Sequence, residues 1–283
     1  MAVAELARPR DASVNQRASQ PKPAGARLDV QKPQFGEDGV INEIFRRIKT
    51  KNKICIEFGA WDGIHFSNTW SLWCEQDWRA LLIEGDEIKY RTLVKNTAAF
   101  PKVTPVLAYV MPAGENSLDS IAERSECPAD IDLLSIDIDG DDYYILEGLE
   151  KLNPRLTIIE YNPTIPPHVE LVQQPGGYFG ASALAILKLA RKKNLKLVHM
   201  TDTNMFLLNE EAFATSGLTE EPLEKLFVYR HLVYVSSTYD GKTYLLGKSP
   251  YATFQPVKSK VTYPAVLNPN SVELEKVTIT KNR

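Results

Sequence analysis

Hydrophobic positions along the chain fall into two alternating rhythms. In "FGEDGVINEIFRRI", Ile41, Ile44, Phe45 and Ile48 recur at i, i+3, i+4 and i+7, one face of a helix. "KICIEF", "RALLIE", "IDLLSID" and "RLTIIEY" are short, nearly continuous apolar runs of the kind buried strands carry, and "VTPVLAYV" is a poorer one. Its Pro105 cannot donate to a ladder and places that strand toward a sheet edge. Between the runs lie helical stretches: "SNTWSLWCEQDW", "KYRTLVKNTAAF" with Leu93 and Val94, "SLDSIAERS", "YYILEGLEKL" with Ile145, Leu146, Leu149 and Leu152, and "ASALAILKLARKKN". The last two runs, "LKLVHM" and "MFLLNE", are joined by the turn-forming "TDTN", a hairpin signal. Strands alternating with helices predict an α/β fold, a mainly parallel sheet covered on both faces, with the hairpin adding one antiparallel strand.

This rhythm bounds the domains. Residues 1–34 hold Pro9, Pro21, Pro23, Pro33 and six Lys or Arg with few large apolar groups, so they read as a disordered or loosely attached arm. Periodicity fades again after about 230, which predicts one domain over 35–230 and an appendage over 231–283. The 283 residues, 43% hydrophobic and 24% charged, suffice for a sizeable core. A net charge of −3 offers no field for nucleic acid. Cys55, Cys74 and Cys127 form neither an even framework nor a CxxC pair, which fits a reducing compartment. With no apolar signal core and no transmembrane run, the expectation is a cytoplasmic protein, free to form a homo-oligomer.

In parallel sheets, ligands bind beyond the carboxyl ends of the strands. The first strand ends in "EFGAWDGIHFSNT", an acidic turn containing Glu57, Gly59, Ala60, Asp62, Gly63, Asn68 and Thr69. A dinucleotide fingerprint would need bare amides for a pyrophosphate, whereas here the second glycine is missing and Asp62 would repel phosphate. The turn suits a cationic or zwitterionic ligand, or is a plain strand-to-helix connection. The second strand ends in "IEGD", where Glu84, with Gly85 and Asp86 beside it, is suited to grip ribose hydroxyls, unless it is a solvated surface acid.

With "LLIEGD", "SLDSI", "DLLSIDIDGDDYYILEGL" and "IIEYNPTIPP", these segments resemble the class I S-adenosylmethionine-dependent methyltransferases, specifically the FkbM-like branch, over about residues 35–210. The resemblance implies a Rossmann-like seven-stranded sheet with an antiparallel last strand. It also implies that Glu57, Gly59 and Asp62 surround the methionine part of S-adenosylmethionine, that Glu84 holds its ribose, and that Ser117 lies on the adenine side. The chain departs from the branch in having "GAW" for a small "GAN" triplet and "DIDG" for "DVEG".

"SIDIDGDDYY" concentrates Asp137, Asp139, Asp141 and Asp142 at the end of the fourth strand. Asp137 and Asp139 are the candidate catalytic pair, with Asp137 also facing the cofactor. With Glu160 and Asn162 from the next strand end they make an oxygen set for Mg²⁺ or another divalent cation, a layout similar to metal-dependent sugar and catechol O-methyltransferases. Asp141 and Asp142 are read as starting the following helix, by capping and favourable charge. "DIDGD" also resembles the nucleophile loop of haloacid-dehalogenase-like phosphatases, but that loop ends a first strand and this one follows three. A calcium loop fails, since its glycine falls on Asp142 and its final Glu on Gly148.

His168, after the fifth strand, and His65, in the first loop, are candidate bases. "QQPGGYFGAS" is expected to be a mobile lid over the acceptor. The function expected is O-methylation of a sugar, glycan or sugar-bearing natural product. A non-catalytic protein of this fold used for protein interaction is the alternative.

Overall fold

The computed structural model describes residues 36–232, 234–237, 239–241 and 243–246. The arm expected over 1–34 and the chain after 246 lie outside the described residues. In chain order the elements are α1 (Glu37–Ile48), β1 (Ile54–Phe58), α2 (Trp70–Glu75), β2 (Arg79–Glu84), α3 (Glu87–Thr97), β3 (Val103–Leu107), α4 (Leu118–Arg124), β4 (Asp130–Ile136), α5 (Asp142–Gly148), β5 (Asn153–Glu160), α6 (Ala183–Lys192), β6 (Leu195–Met200) and β7 (Asn204–Asn209). After them come α7 (Glu210–Ser216), α8 (Leu223–Leu226), β8 (Tyr234–Ser237) and β9 (Thr243–Leu246).

Strands β1 to β7 form one sheet in the order β3-β2-β1-β4-β5-β7-β6, with β7 antiparallel to both its neighbours and the other pairings parallel. This is the Rossmann-like α/β sheet expected, with Pro105 on the edge strand β3. The order reverses between β1 and β4, and in such sheets ligands bind beyond the carboxyl ends of the strands at this switch point. Helices cover both faces: side chains of α4, α5, α6 and α8 pack one apolar layer, and those of α1, α2, α3 and α7 the other.

Three details depart from the sequence pattern. Helix α5 stops at Gly148, so Leu149 and Leu152 pack from beyond its end. A Cβ on Gly148 would stand 2.1 Å from the Pro112 carbonyl oxygen, so only glycine fits that approach. Val94 is exposed while Leu93 is buried. Beyond 230, where periodicity fades, β8 and β9 pair as a separate antiparallel hairpin.

The amino-terminal end of the sheet is locked by one buried ion pair. Arg155 Nη1 donates to Asp132 Oδ1 at 2.9 Å, and its Nη2 donates to the Ile48 carbonyl at the end of α1. The Asp132 carboxylate also accepts from the amides of Lys51, Asn52 and Lys53. Removing one partner leaves the other charge buried and several amides unmatched. Asp132→Ala is therefore expected to lower the unfolding free energy by about 3–5 kcal/mol, measured by urea denaturation with the midpoint moving and the slope unchanged.

Candidate active site

At the carboxyl end of the sheet, chain packing forces three loops together. Gly59, just past β1, has φ +75°, and a Cβ there would lie 1.7 Å from the carbonyl oxygen of Asp137, just past β4. The neighbouring loop is drawn in by Glu84, the last residue of β2: Oε2 accepts from the Trp61 amide at 2.8 Å and Oε1 from the Asp86 amide at 2.7 Å.

The residues expected to bind a cofactor differ in burial and in their hydrogen-bond partners. Glu57 is buried, and its carboxylate accepts from Ser67 Oγ, the Asn68 amide and Thr69 Oγ1 at 2.6–2.7 Å. Burial raises its pKa against those hydrogen bonds. The side chains of Asn68 and Thr69 point inward, Asn68 Nδ2 donating to Ser135 Oγ. Ala60 is buried, and Gly63 at φ +80° leaves room for Leu93. Asp62 accepts from the amides of Ile64 and His65 and bonds the His65 ring at 2.8 Å. Although burial opposes it, these donors hold the Asp62 carboxyl below its usual range. Asp86 caps α3 through the amides of Ile88 and Lys89, and Ser117 caps α4 through the Ser120 amide. Gly85 is exposed and touches Tyr109, itself exposed.

The acidic stretch divides by side-chain role. Asp142 is buried and accepts from the amides of Ile138 and Gly140, both at 2.9 Å. Asp141 occupies the cap position of α5 but makes no cap bond; its carboxylate accepts from Gln173 Nε2 and the Gly176 amide instead. Capping by these two side chains, expected from the sequence, is thus corrected. One folds the acidic loop on itself, and the other ties it to the glycine-rich segment. The segment expected to be a lid is hydrogen-bonded to its surroundings: Gln173, buried, also accepts from the Phe179 and Gly180 amides, and Val172 bridges Ala181.

Asp137 and Asp139 remain. Oxygens of Asp137, Asp139 and Glu160 lie within 4.8 Å of one another. Asn162 does not offer its oxygen to them, because Oδ1 accepts from both the amide and hydroxyl of Thr164 while Nδ2 donates to the Phe179 carbonyl. Burial pushes the Asp137 pKa well up, and the charges of Asp142, Asp139, Glu57 and Glu37 push it further. Asp139 is exposed, with φ +58°, a left-handed conformation unusual outside glycine. His168 is exposed on the loop after β5.

Several residues escaped the sequence reading. Glu37, at the start of α1, bonds Thr201 Oγ1 at 2.8 Å and has its pKa raised by burial. Trp61 sits at φ +49° with Lys89 Nζ 4.2 Å from its ring centroid; the "GAW" departure was its one signal. Phe66, Tyr178 and Phe179 are exposed on loops at this end. A cavity of about 390 Å³ at the amino-terminal edge, near Asn153, Leu195 and Asn209, lies apart from these groups.

Solved structures with similar folds include SAM-dependent methyltransferases. A SAM dependent methyltransferase from Aquifex aeolicus is 10% identical, with TM-score 0.38, over 62% of this chain and 92% of that one. The N-terminal domain of EvdMO1, solved with SAH and D-fucose, is 10% identical with TM-score 0.41, over 63% and 82%. A putative O-methyltransferase from Klebsiella pneumoniae is 16% identical with TM-score 0.38, over 63% and 82%. At such identities and TM-scores the likeness gives no residue a role. No family model matches this sequence, and no curated protein matches it. Among the described residues no helix is long and apolar enough to cross a membrane.

Because the folded protein raises the Asp137 pKa, the unfolded chain releases that proton more readily. Its contribution to stability is full below the ordinary carboxylate range and declines as pH rises toward the folded pKa. Asp137→Asn in chelator-containing buffer is expected to raise the melting temperature at pH 8 by more than at pH 4. Equal shifts at both pH values would contradict the assignment.

Proposed function

We propose that this chain is an S-adenosylmethionine-dependent O-methyltransferase of the FkbM-like kind, acting in the cytoplasm on a hydroxyl of a sugar, glycan or sugar-bearing natural product. The observation that carries the reading is the convergence of acids from the ends of β1, β2 and β4 on one mouth, where Asp137 and Asp139 have no ion-pair partner among the described residues. A ligand with a positive centre would be drawn there.

The residues fit the cofactor by their donor and acceptor chemistry. Asp137 would face its cationic part. Glu84, whose two oxygens each accept one amide, retains lone pairs for a pair of ribose hydroxyls. Exposed Tyr109 and Ile88 flank that end and offer apolar surface to a base. When bound, S-adenosylmethionine supplies an electrophilic methyl group. Asp139 and Glu160 would orient the acceptor hydroxyl, and His168 would take its proton. The trio of Asp137, Asp139 and Glu160 also suits a hard divalent ion such as Mg²⁺, which would lower the hydroxyl pKa.

Calorimetry with S-adenosylmethionine tests the reading directly, saturable binding being expected. Asp139→Ala should keep the cofactor affinity and lower turnover by about 10²-fold or more, the scale of a lost acid–base or positioning group. Full activity with the true acceptor would sink the Asp139 role. Binding without any turnover would favour a non-catalytic protein of this fold.

A further inference from the structure

We infer that the loop over 173–180 is a prebuilt wall of the acceptor site, positioned by Gln173, whose Tyr178 and Phe179 receive the face of a sugar ring bearing no negative charge. The inference rests on the methyltransferase reading for where the acceptor lies.

The loop is fixed from both ends and from its middle. Val172 pairs with Ala181, and the Ser182 amide donates to the Leu171 carbonyl. Inside it, Gln173 is 1% exposed and uses both ends of its amide: Nε2 donates to Asp141, and Oε1 accepts from Phe179 and Gly180 at 2.8 and 2.7 Å. Its carbonyl accepts from Tyr144 Oη at 2.6 Å. The loop is pressed against the acidic loop after β4, since a Cβ on Gly140 would meet the Gly177 carbonyl at 3.1 Å. From the other side Asn162, after β5, donates to the Phe179 carbonyl. The wall therefore stands beside the strand ends that carry Asp137, Asp139 and Glu160.

What it presents there is unusual for water. Tyr178 is 81% exposed and Phe179 44% exposed, on a segment otherwise tied down. Tying down the backbone that carries these rings lowers the ordering cost that an untethered segment would pay on binding. An aromatic face complements the apolar C–H face of a pyranose, while ring hydroxyls, or an amine, can donate toward neighbouring carboxylates. In the metal-free protein, phosphate or carboxylate groups on the sugar would meet Asp137 and Asp139, which have no ion-pair partner among the described residues, and would be repelled. Charge thus selects a neutral or amine-bearing ring.

The test uses the full chain and fixed probes. Calorimetry with S-adenosylmethionine judges the underlying reading alone. Saturation-transfer NMR in chelator-containing buffer then compares methyl glucopyranoside, its 2-amino counterpart and its 6-phosphate. The first two are expected to bind through ring protons, and the phosphate about tenfold more weakly or not at all. Replacing both exposed rings, Tyr178→Ala with Phe179→Ala, should weaken the pyranosides about tenfold while leaving cofactor affinity within about twofold. Gln173→Glu keeps the oxygens that serve Phe179 and Gly180 but loses the donor to Asp141. It should weaken the same probes and speed amide exchange at Gly176, again sparing the cofactor. Silent pyranosides with the wild type, equal binding of the phosphate, or unchanged binding in the double variant would overturn the inference. Pyranoside binding as expected with no cofactor binding would instead remove the methyltransferase reading and leave a sugar-binding wall.

Discussion

The mouth of this sheet exists because residue 59 has no side chain. A Cβ there would overlap the carbonyl oxygen of Asp137 at 1.7 Å, a backbone atom that cannot swing aside. Glycine also accepts the φ of +75° that turns the chain at this point. The close approach seats the first loop on the end of β4, and Glu84 fastens the same loop to the end of β2 through the Trp61 amide. Three strand ends then share one surface without any direct side-chain bridge between β2 and β4. The topology puts the crevice there, and the glycine lets it close.

Once closed, the mouth has an electrostatic problem that is solved residue by residue. Asp142 and Glu57 are buried acids, and each is compensated by donors: two backbone amides for the first, an amide and two hydroxyls for the second. Such charge-assisted bonds contribute about 1.5–3 kcal/mol each, enough to offset much of the cost of taking a carboxylate out of water. Asp141 spends its charge on the Gln173 loop. Asp137 has no comparable donor, and its raised pKa records the imbalance. The acids are therefore unequal by construction, and the uncompensated one marks where a positively charged partner is most favourable.

How far the sequence foretold this depends on the range of the interaction. The succession and type of β1 to β7 along the chain were legible because continuous apolar runs and period-3.6 patterns are local, and Pro105 announced its own edge. The nearness of Asp137, Asp139 and Glu160 was legible too, since the first two follow β4, the third ends β5, and parallel neighbours bring their ends together. What could not be read were side-chain commitments across the fold. Asp141 reaches residues 32 and 35 positions away, and Asn162 turns its oxygen to Thr164 although its place beside Glu160 had made it a ligand candidate. Helix-start position alone favoured capping, but the glycine-rich segment offered Asp141 an amide and a glutamine side chain that a local rule does not see. Glu37 was hidden for the same reason: it bonds Thr201, 164 positions on.

The two ends of the sheet show opposite uses of buried charge. At the amino-terminal end, Asp132 is matched by Arg155 and three amides, so its charge is consumed in closing α1 onto the sheet. At the carboxyl end, the excess of acid over base is left standing among rigidly held loops. A structure stabilised only for its own sake would have neutralised that excess or replaced it with apolar packing, which is often at least as stable. Keeping it requires firm support elsewhere, which the Asp132–Arg155 lock and the Gln173 staple provide from opposite ends. The oxygens of Asp137, Asp139 and Glu160 lie within 4.8 Å of one another, so their charges repel wherever they are ionised together. A cationic ligand arriving there would relieve that repulsion, so charge would contribute to its recognition before any specific contact.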